Sequence, residues 1–304
     1  MPEQAPMAVD DALLRAWPLP MPSADGDKEE RGRLLVIGGS RQMPGAVILA
    51  ATAAMRAGAG KLAIATGASV AQLVALAIPE SRVIGLRETG EGGIVADAAV
   101  ALESLEGRLD AVLIGPGMQD EPAICDFVHA LLPMLDGVSV ILDAAAMGVV
   151  CEAAAKDGNG EGFLGRYGAQ VLVTPHAGEM AHLSGASKEE VAADPEGIAR
   201  RMAQRWRATV ALKGPVTHIA TPDGRLWKHV GGNVGLAASG SGDTLAGIIV
   251  GLAARGAPLE QAAAWGVALH ARAGDRLAEQ TGPLGYLTRD LAAQVPMLMH
   301  SLSG

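Results

Sequence analysis

Short runs of consecutive apolar residues alternate along this chain with longer stretches whose apolar residues have a helical spacing. The short runs are typical of strands buried on both faces of a sheet. The longer stretches predict helices, the first of which begins at Pro44, because proline is favoured in the first turn of a helix. Strands that alternate with helices predict an α/β fold with a central, mainly parallel sheet and helices on both faces, in three layers. The predicted strands are RLLVIGG, KLAIAT, RVIGL, LDAVLIGPG, VSVILDA and AQVLVTPHAGE.

The alternation changes after residue 208 and is absent before residue 33. Residues 208–230 predict short strands joined by turns, among them the turn sequence TPDG. A glycine-rich segment then leads into an apolar helix, a long helical pattern over 258–279 and a last helix. Residues 1–32 are polar and contain several prolines, which predicts an extended arm in front of a single domain over 33–304.

Glycine, proline and polar residues follow nearly every predicted strand of the parallel sheet. In open parallel sheets, ligands bind beyond the carboxyl ends of the strands, so these turns are the first candidates for a site. The turns are IGGS, IGPGM, LDAAA and VTPHAGE.

The composition excludes several classes of protein. The chain has 304 residues, of which 49% are hydrophobic and 19% charged, which argues against disorder. A net charge of −9 and few aromatic residues argue against a nucleic-acid partner. No apolar run reaches the roughly 18 residues of a membrane span, and the acidic start is unlike a signal peptide. With only Cys125 and Cys151, the sequence favours a cytoplasmic protein.

The segment Gly240-Ser241-Gly242-Asp243 precedes an apolar helix and is the most informative part of the sequence. Glycines let the backbone approach a ligand closely, and the free N–H groups at a helix start favour an anion. Asp243 is then a candidate general base that acts on a hydroxyl near a phosphate. The alternative is that Asp243 only caps the helix, and these residues alone leave the two interpretations equally weighted.

Other candidates are weak when taken singly. His176, in the turn Thr174-Pro175-His176, alone favours a capping histidine, and Lys213, in Lys213-Gly214, alone favours a surface lysine. Their shared placement at strand ends is what supports a functional role.

Taken together and in order, the segments resemble the ADP-dependent NAD(P)H-hydrate dehydratases of the ribokinase-like superfamily. The resemblance runs from about Lys28 to Ala292, and the length favours the dehydratase domain alone, without a fused epimerase domain. The segments that carry it are LLVIGGSRQMPGAVILAATAAMRAGAGKLAIAT, LIGPGM, LVTPHAGEMAHLSG, LKGPVTHIA and SGSGDTLAG.

The resemblance implies a cofactor-repair reaction. NADH hydrate or NADPH hydrate is phosphorylated by ADP on its hydroxyl, and loss of phosphate regenerates NADH or NADPH beside AMP. Asp243 would be the base, and ADP, Mg²⁺ and a homotetramer are implied as well. The residues implied for the hydrate site are Ala46, Gly117, His176 and Asp243. Those implied for the nucleotide are Lys213, Gly214, Pro215, Val216, Thr217, Gly240, Ser241 and Gly242.

The sequence departs from the family pattern at four positions. The family usually has an aromatic residue where Met43 stands, a second aspartate where Ala145 stands, proline at Ala177 and glycine at Ser239. Two alternatives stay open: a ribokinase-like kinase that releases a phosphorylated alcohol such as a vitamin precursor, and a nucleotide-binding sensor without catalysis. An intact Asp243 argues against the sensor.

Overall fold

A twisted sheet forms the middle layer of the structure, a computed structural model that describes residues 5–23, 30–151, 164 and 170–303. The strands are Met7–Ala8 (β1), Arg33–Ile37 (β2), Lys61–Gly67 (β3), Ser81–Leu86 (β4), Ala111–Ile114 (β5), Ser139–Leu142 (β6), Val171–Val173 (β7), Thr209–Leu212 (β8), Val216–Ala220 (β9) and Leu226–Val230 (β10). Within the described ranges they form one sheet in the order β1-β10-β9-β8-β7-β6-β5-β2-β3-β4.

The pairing of the strands confirms the mainly parallel sheet. All neighbours from β8 across to β4 are parallel, with Leu35 opposite Ala63 and Val112 in the middle of the sheet. Strand β9 is antiparallel to both β8 and β10, as the short strands and turns of 208–230 predict.

Helices cover both faces of the sheet. The α-helices of the described residues are Asp11–Ala16 (α1), Pro44–Arg56 (α2), Ala71–Ala77 (α3), Glu121–Leu131 (α4), Ala177–Ser184 (α5), Lys188–Ala193 (α6), Pro195–Trp206 (α7), Ser241–Ala254 (α8), Leu259–Thr281 (α9) and Thr288–Ser303 (α10). A 3₁₀ helix spans Ala96–Leu105, where the sequence predicts a helix. Each described helix is too short or too polar to cross a membrane.

Alternate residues of the strands pack into two separate apolar clusters. On β2, Leu34 and Val36 face the cluster that contains residues of α2, α8, α9 and α10. Leu35 on the same strand faces the cluster that contains residues of α4 and α7. Because both faces are covered, the strands are apolar throughout, which is the reason for their continuous hydrophobic runs.

Helices α2 and α8 lie unusually close together. A Cβ atom on Gly247 would lie 2.2 Å from the Ala50 carbonyl oxygen, and one on Gly251 would lie 2.5 Å from the Ala54 carbonyl oxygen. Only glycine permits this approach, because any side chain would overlap the neighbouring backbone. The two helices are thereby fixed relative to each other, and with them the positions of their first turns.

The lead-in differs from the prediction of an extended arm. β1 adds to the edge of the sheet beside β10, and α1 follows it. Val9, Leu14 and Leu19 are buried in the cluster of the α8 face. The segment packs because its apolar residues join this cluster, and the ring of Trp17 stacks on that of Trp227 with centroids 5.6 Å apart. The division into an arm over 1–32 and a domain over 33–304 stays a prediction.

Candidate active site

The turns after β2, β5, β6, β7 and β8 meet at one edge of the sheet. The N–H of Gly39 donates to the Pro116 carbonyl at 2.7 Å and so joins the turns after β2 and β5. A Cβ on Gly115 would lie 1.8 Å from the Asp143 carbonyl oxygen, so glycine is required where the turns after β5 and β6 touch. The arrangement places the polar residues that follow these strands around one region.

The glycine turn opens helix α8 without a side-chain cap. Gly240 occupies the N-cap position with φ +86°, and Asp243 is the third residue of the helix. The alternative that Asp243 is the N-cap is therefore wrong.

The backbone amides of the same turn are only partly available. The N–H of Ser241 already donates to the Ala238 carbonyl at 3.2 Å, whereas the intrahelical bonds begin with the N–H of Thr244 on the Gly240 carbonyl. The amides of Gly242 and Asp243 precede that first bond, and the helix leaves them for another acceptor.

Lys213, at the end of β8, lies among carboxylates beside this turn. Its Nζ is 3.1 Å from Asp143 Oδ1 and 3.9 Å from Glu179 Oε2. A Cβ on Gly242 would lie 3.5 Å from the same Nζ, so the ammonium lies against the start of α8. The lysine, whose side chain is 17% exposed, is thus a largely buried counter-charge next to the anion-binding turn, and not the surface lysine that its sequence alone favours.

Asp143 is itself held firmly. It is 3% exposed, and its Oδ1 accepts a 2.6 Å hydrogen bond from Thr174 Oγ1 as well as the bond from Lys213. Thr174 is 1% exposed and follows β7 directly. The ends of β6, β7 and β8 are therefore linked through side chains.

The electrostatics of the cluster favour a base that works near neutral pH. Burial, reinforced by the charges of Asp143 and Glu179, raises the pKa of Asp243 to about 6, although Lys213 acts in the opposite direction. Burial alone would lower the pKa of Lys213, but the charges of Asp143 and Glu179 and the hydrogen bond to Asp143 raise it, so the ammonium stays protonated.

His176 caps helix α5 and at the same time faces the cluster. Its Nδ1 accepts from the Glu179 N–H at 3.0 Å, and its own N–H donates to Glu179 Oε2 at 2.7 Å. This capping box confirms the capping interpretation of the histidine. The side chain is nevertheless 60% exposed, so the ring remains accessible to a ligand.

A second group of predicted residues lies at the start of α2. A Cβ on Gly117, whose φ is +67°, would lie 2.7 Å from the Ala46 Cβ and 2.6 Å from the Met43 carbonyl oxygen. A Cβ on Gly240 would lie 2.5 Å from Leu49 Cδ1. Helix α2 therefore contacts both the turn after β5 and the turn that opens α8.

The hairpin turn over 213–217 extends away from Lys213. Gly214 and Pro215 are exposed, and Val216 begins β9. Thr217 is buried, and its hydroxyl donates to the Gly214 carbonyl at 3.4 Å. In this structure only Lys213 of the five predicted residues enters the charged cluster, and the others form the adjoining turn.

The sequence interpretation missed one buried polar residue behind the site. His270 of α9 is buried, and its Nε2 lies 3.0 Å from Ser241 Oγ. Burial lowers its pKa to about 4, so the ring is neutral at physiological pH. The only signal was a single histidine in the otherwise apolar stretch AAAWGVALHA.

The positions that depart from the family pattern lie around the same edge. Met43 is 43% exposed at the start of α2. Ala145 is partly buried against the cluster of the α4 face. Ala177 opens α5 behind His176, and the Ser239 carbonyl accepts from Thr288 Oγ1 at 2.9 Å. With these four residues in place, Lys213 Nζ lies 3.1 Å from Asp143 Oδ1.

Comparison with known proteins shows relatives along nearly the whole chain. The chain is 47% identical over 294 residues to the ADP-dependent (S)-NAD(P)H-hydrate dehydratase of Xanthomonas campestris, covering 97% of this chain and 96% of that protein. It is 32% identical to the enzyme of the same name from Neisseria meningitidis, covering 92% and 88% of the two chains.

Solved structures agree in fold. A Bacillus subtilis ADP/ATP-dependent NAD(P)H-hydrate dehydratase, co-crystallised with ATP/Mg²⁺, superposes with a TM-score of 0.78 at 28% identity, covering 98% of this chain and 99% of that chain. A ribokinase-like superfamily protein of Enterococcus faecalis superposes with a TM-score of 0.80 at 27% identity, covering 98% and 96%. The NAD(P)H-hydrate dehydratase family model matches residues 34–297, and the chain belongs to that family.

Proposed function

We propose that this enzyme, a hydro-lyase, returns NADH hydrate and NADPH hydrate to NADH and NADPH at the expense of ADP, with Asp243 as the general base. The observation that supports this most directly is the arrangement at the start of α8. A carboxylate with a pKa of about 6 stands there beside free backbone amides and the Lys213 ammonium. A phosphoryl group and a hydroxyl that must lose its proton both fit this combination.

The first step is phosphoryl transfer. The Asp243 carboxylate takes the proton of the hydrate hydroxyl, whose oxygen forms a bond to the β-phosphorus of ADP. The bond from that phosphorus to the bridging oxygen breaks, and AMP leaves. The N–H groups of Gly242 and Asp243 stabilise the charge on the transferring group, together with Lys213.

The second step is elimination. The lone pair of the nitrogen in the hydrated, tetrahydropyridine ring expels the phosphate, and the neighbouring ring carbon then loses a proton to restore the double bond of the dihydropyridine. The products are the nicotinamide cofactor and inorganic phosphate. Ala46, Gly117 and His176 line the hydrate site in this proposal, and the turn over 213–217 with Gly240, Ser241 and Gly242 holds the nucleotide.

Mg²⁺ fits the proposal as a partner of the nucleotide. Among the described residues there is no cluster of three or more histidine, cysteine or acidic side chains that could form a protein cage for a metal. Mg²⁺ commonly binds through substrate phosphates and few protein ligands. When bound to the diphosphate of ADP, it neutralises charge there in a site that already contains Asp143, Glu179 and Asp243.

The test mixes purified protein with NADH hydrate, ADP and Mg²⁺ and follows the return of nicotinamide absorbance, with ATP in place of ADP as a parallel assay. We expect turnover by the wild type and a decrease of about 10²- to 10⁴-fold for Asp243→Asn, because the base is lost. Asp126→Asn, an exposed position on α4, is the matched control and retains the wild-type rate.

Two results contradict the proposed reaction, and a third contradicts only the role of Asp243. Accumulation of a phosphorylated product without return of the cofactor identifies a kinase. Binding of ADP and hydrate without turnover identifies a nucleotide-binding sensor. A wild-type rate in Asp243→Asn removes the assignment of the base while leaving the reaction intact.

The assembly and location of the protein stay predictions. We propose a homotetramer, which light scattering on the purified protein tests directly. We also propose a cytoplasmic protein without nucleic-acid or membrane partners, and fractionation of cells that express a tagged copy tests that location.

A further inference from the structure

The ammonium of Lys213 has more fixed partners than a lysine that only neutralises a ligand requires. Asp143 Oδ1 lies 3.1 Å from Nζ, and the same oxygen accepts from Thr174 Oγ1 at 2.6 Å. Asp143 and Thr174 are 3% and 1% exposed, respectively. Two buried side chains at the ends of neighbouring strands, Asp143 after β6 and Thr174 after β7, therefore determine where the Lys213 ammonium lies.

We propose that Asp143, held by Thr174, is a positioning residue that fixes the Lys213 ammonium against the first turn of α8 for phosphoryl transfer. This inference rests on the proposed function and adds a residue to it.

The direction in which Lys213 is held supports the proposal. Its Nζ lies 3.5 Å from the position that a Cβ would take on Gly242, whose amide is one of the two left free at the helix start. An ammonium anchored there lies beside the two backbone amides, so that all three donors can stabilise charge on one transferring group. A small displacement of such a group has a large effect on rate, because the interaction must match the transition state and not the bound nucleotide.

Glu179 is a poorer anchor for the lysine. Its Oε2 is 3.9 Å from Lys213 Nζ and is already occupied by the N–H of His176 at 2.7 Å. If Asp143 lost its charge, the ammonium would turn toward Glu179 and away from the fixed position. Asp143 is therefore the residue whose removal displaces the lysine.

The anchor acts on Asp243 as well. The charged groups that face Asp243 are Asp143 from the end of β6, Lys213 from the end of β8 and Glu179 from α5, with neutral His270 of α9 behind Ser241. Asp143 raises the pKa of Asp243. Its loss thus has two consequences, a displaced ammonium and a more acidic base, which no purely structural role would produce together.

The experiment compares Asp143→Asn, Lys213→Met and the double variant in the ADP-dependent assay. For Asp143→Asn we expect kcat to fall about 10- to 100-fold while KM for ADP stays unchanged or decreases, because a negative charge near the diphosphate is removed. In the Lys213→Met background the same change lowers kcat less than about twofold further, because Asp143 acts through the lysine. The acid limb of kcat/KM moves to lower pH in Asp143→Asn.

A second pair of variants keeps the test independent of the charge of Asp143. Thr174→Val removes the hydroxyl that holds the carboxylate and lowers kcat, whereas Thr174→Ser retains the hydroxyl and the rate. Because Asp143 keeps its charge in both, the acid limb does not move to lower pH as it does in Asp143→Asn. Asp126→Asn again serves as the neutral control.

The outcomes separate this inference from the proposed function. A wild type without ADP-dependent turnover overturns the proposed function. An active wild type in which Asp143→Asn raises KM for ADP at constant kcat, or in which the two single changes multiply in the double variant, overturns only the positioning role. Equal rates for Thr174→Val and Thr174→Ser also contradict it.

Discussion

The two ends of helix α8 are built in opposite ways. At its start, Gly240 has φ +86°, no side chain caps the helix, and the Asp243 carboxylate stands near the largely buried Lys213 ammonium. At its end, the Arg255 guanidinium donates to the Ala57 carbonyl at 2.9 Å and to the Pro20 carbonyl at 2.7 Å. The Arg255 guanidinium at the far end is satisfied by the protein, whereas the amides of Gly242 and Asp243 at the start are left for a ligand.

This difference indicates that the end of α8 contributes to stability and that its start contributes to chemistry. Groups without protein partners destabilise the folded chain but bind a transition state without reorganisation. Groups that are fully paired stabilise the fold and leave nothing for a substrate. Changes at the start should therefore affect rate more than stability, and changes at the end should do the reverse.

The largest effect is expected at the start of the helix. Asp243→Asn decreases activity about 10²- to 10⁴-fold yet stabilises the protein at neutral pH. The pKa of this carboxyl rises from 3.8 to about 6 on folding, so its stabilising contribution is complete below pH 3.8 and is lost as pH rises to 6. Above pH 6 the free energy of unfolding of Asp243→Asn exceeds that of the wild type by up to roughly 3 kcal/mol.

Thermal unfolding of wild type and Asp243→Asn at several pH values measures this contribution. The advantage of the variant in Tm should be absent near pH 4 and grow up to about pH 7. An Asp243→Asn protein that is inactive and also less stable at pH 7 would mean that Asp243 is structural.

The sequence predicted the start of the helix better than its end. The glycine turn and Asp243 are adjacent in the chain, and their residue types indicate an anion site directly. Arg255 carries no such signal, because its acceptors Ala57 and Pro20 are backbone carbonyls far away in the sequence. The position of Asp243 within the first turn, and not at the N-cap, likewise depended on a backbone angle at Gly240 that the sequence does not display.

The packing of β1 and α1 in the lead-in was not predicted either, for the same reason. Its apolar residues lie in short runs, such as Met7-Ala8-Val9, that polar residues and prolines interrupt, and they indicate no core by themselves. They are held by partners from α9: Gln261 Nε2 and Trp265 Nε1 donate to the Trp17 carbonyl at 3.0 and 2.8 Å. Local patterns predict strands and helices that bury their own faces, but not a segment that is fixed by distant side chains.

The next effect is expected at the end of the helix. Arg255→Met keeps most of the side-chain volume but leaves the Ala57 and Pro20 carbonyls without their donor. We expect a loss of about 2–3 kcal/mol in the free energy of unfolding, because hydrogen bonds from a charged donor are lost. Denaturant unfolding measures the loss, and kcat should stay within about twofold of the wild type. Arg205→Met, at an exposed position of α7, is the control. A large fall in kcat would contradict the separation of the two ends.

A matched pair of glycines compares the ends directly. Gly240→Ala and Gly256→Ala each place a side chain at φ near +90°, which costs about 1–2 kcal/mol. A Cβ on Gly256 would meet open space, whereas one on Gly240 would lie 2.5 Å from Leu49 Cδ1. We expect similar destabilisation but a fall of about tenfold or more in kcat for Gly240→Ala alone, because Asp243 is displaced. Equal kcat values in the two variants would show that the first turn tolerates displacement.

The smallest effect is the response of the wild type to pH. Because Asp243 must be ionised to accept a proton and its pKa is about 6, kcat/KM should be nearly constant above pH 7 and fall about tenfold between pH 5.5 and pH 4.5. His270, which is buried behind the start of α8, affects stability in the same pH range. Its pKa falls from 6.5 to about 4 on folding. The contribution of its neutral ring to the free energy of unfolding is therefore complete above pH 6.5 and is lost as pH falls toward 4. Rates measured within seconds of a pH jump from pH 7.5, before unfolding proceeds, isolate the ionisation of Asp243. An acid limb that persists unchanged in the residual activity of Asp243→Asn would assign it to another group and leave the start of α8 without its titrating base.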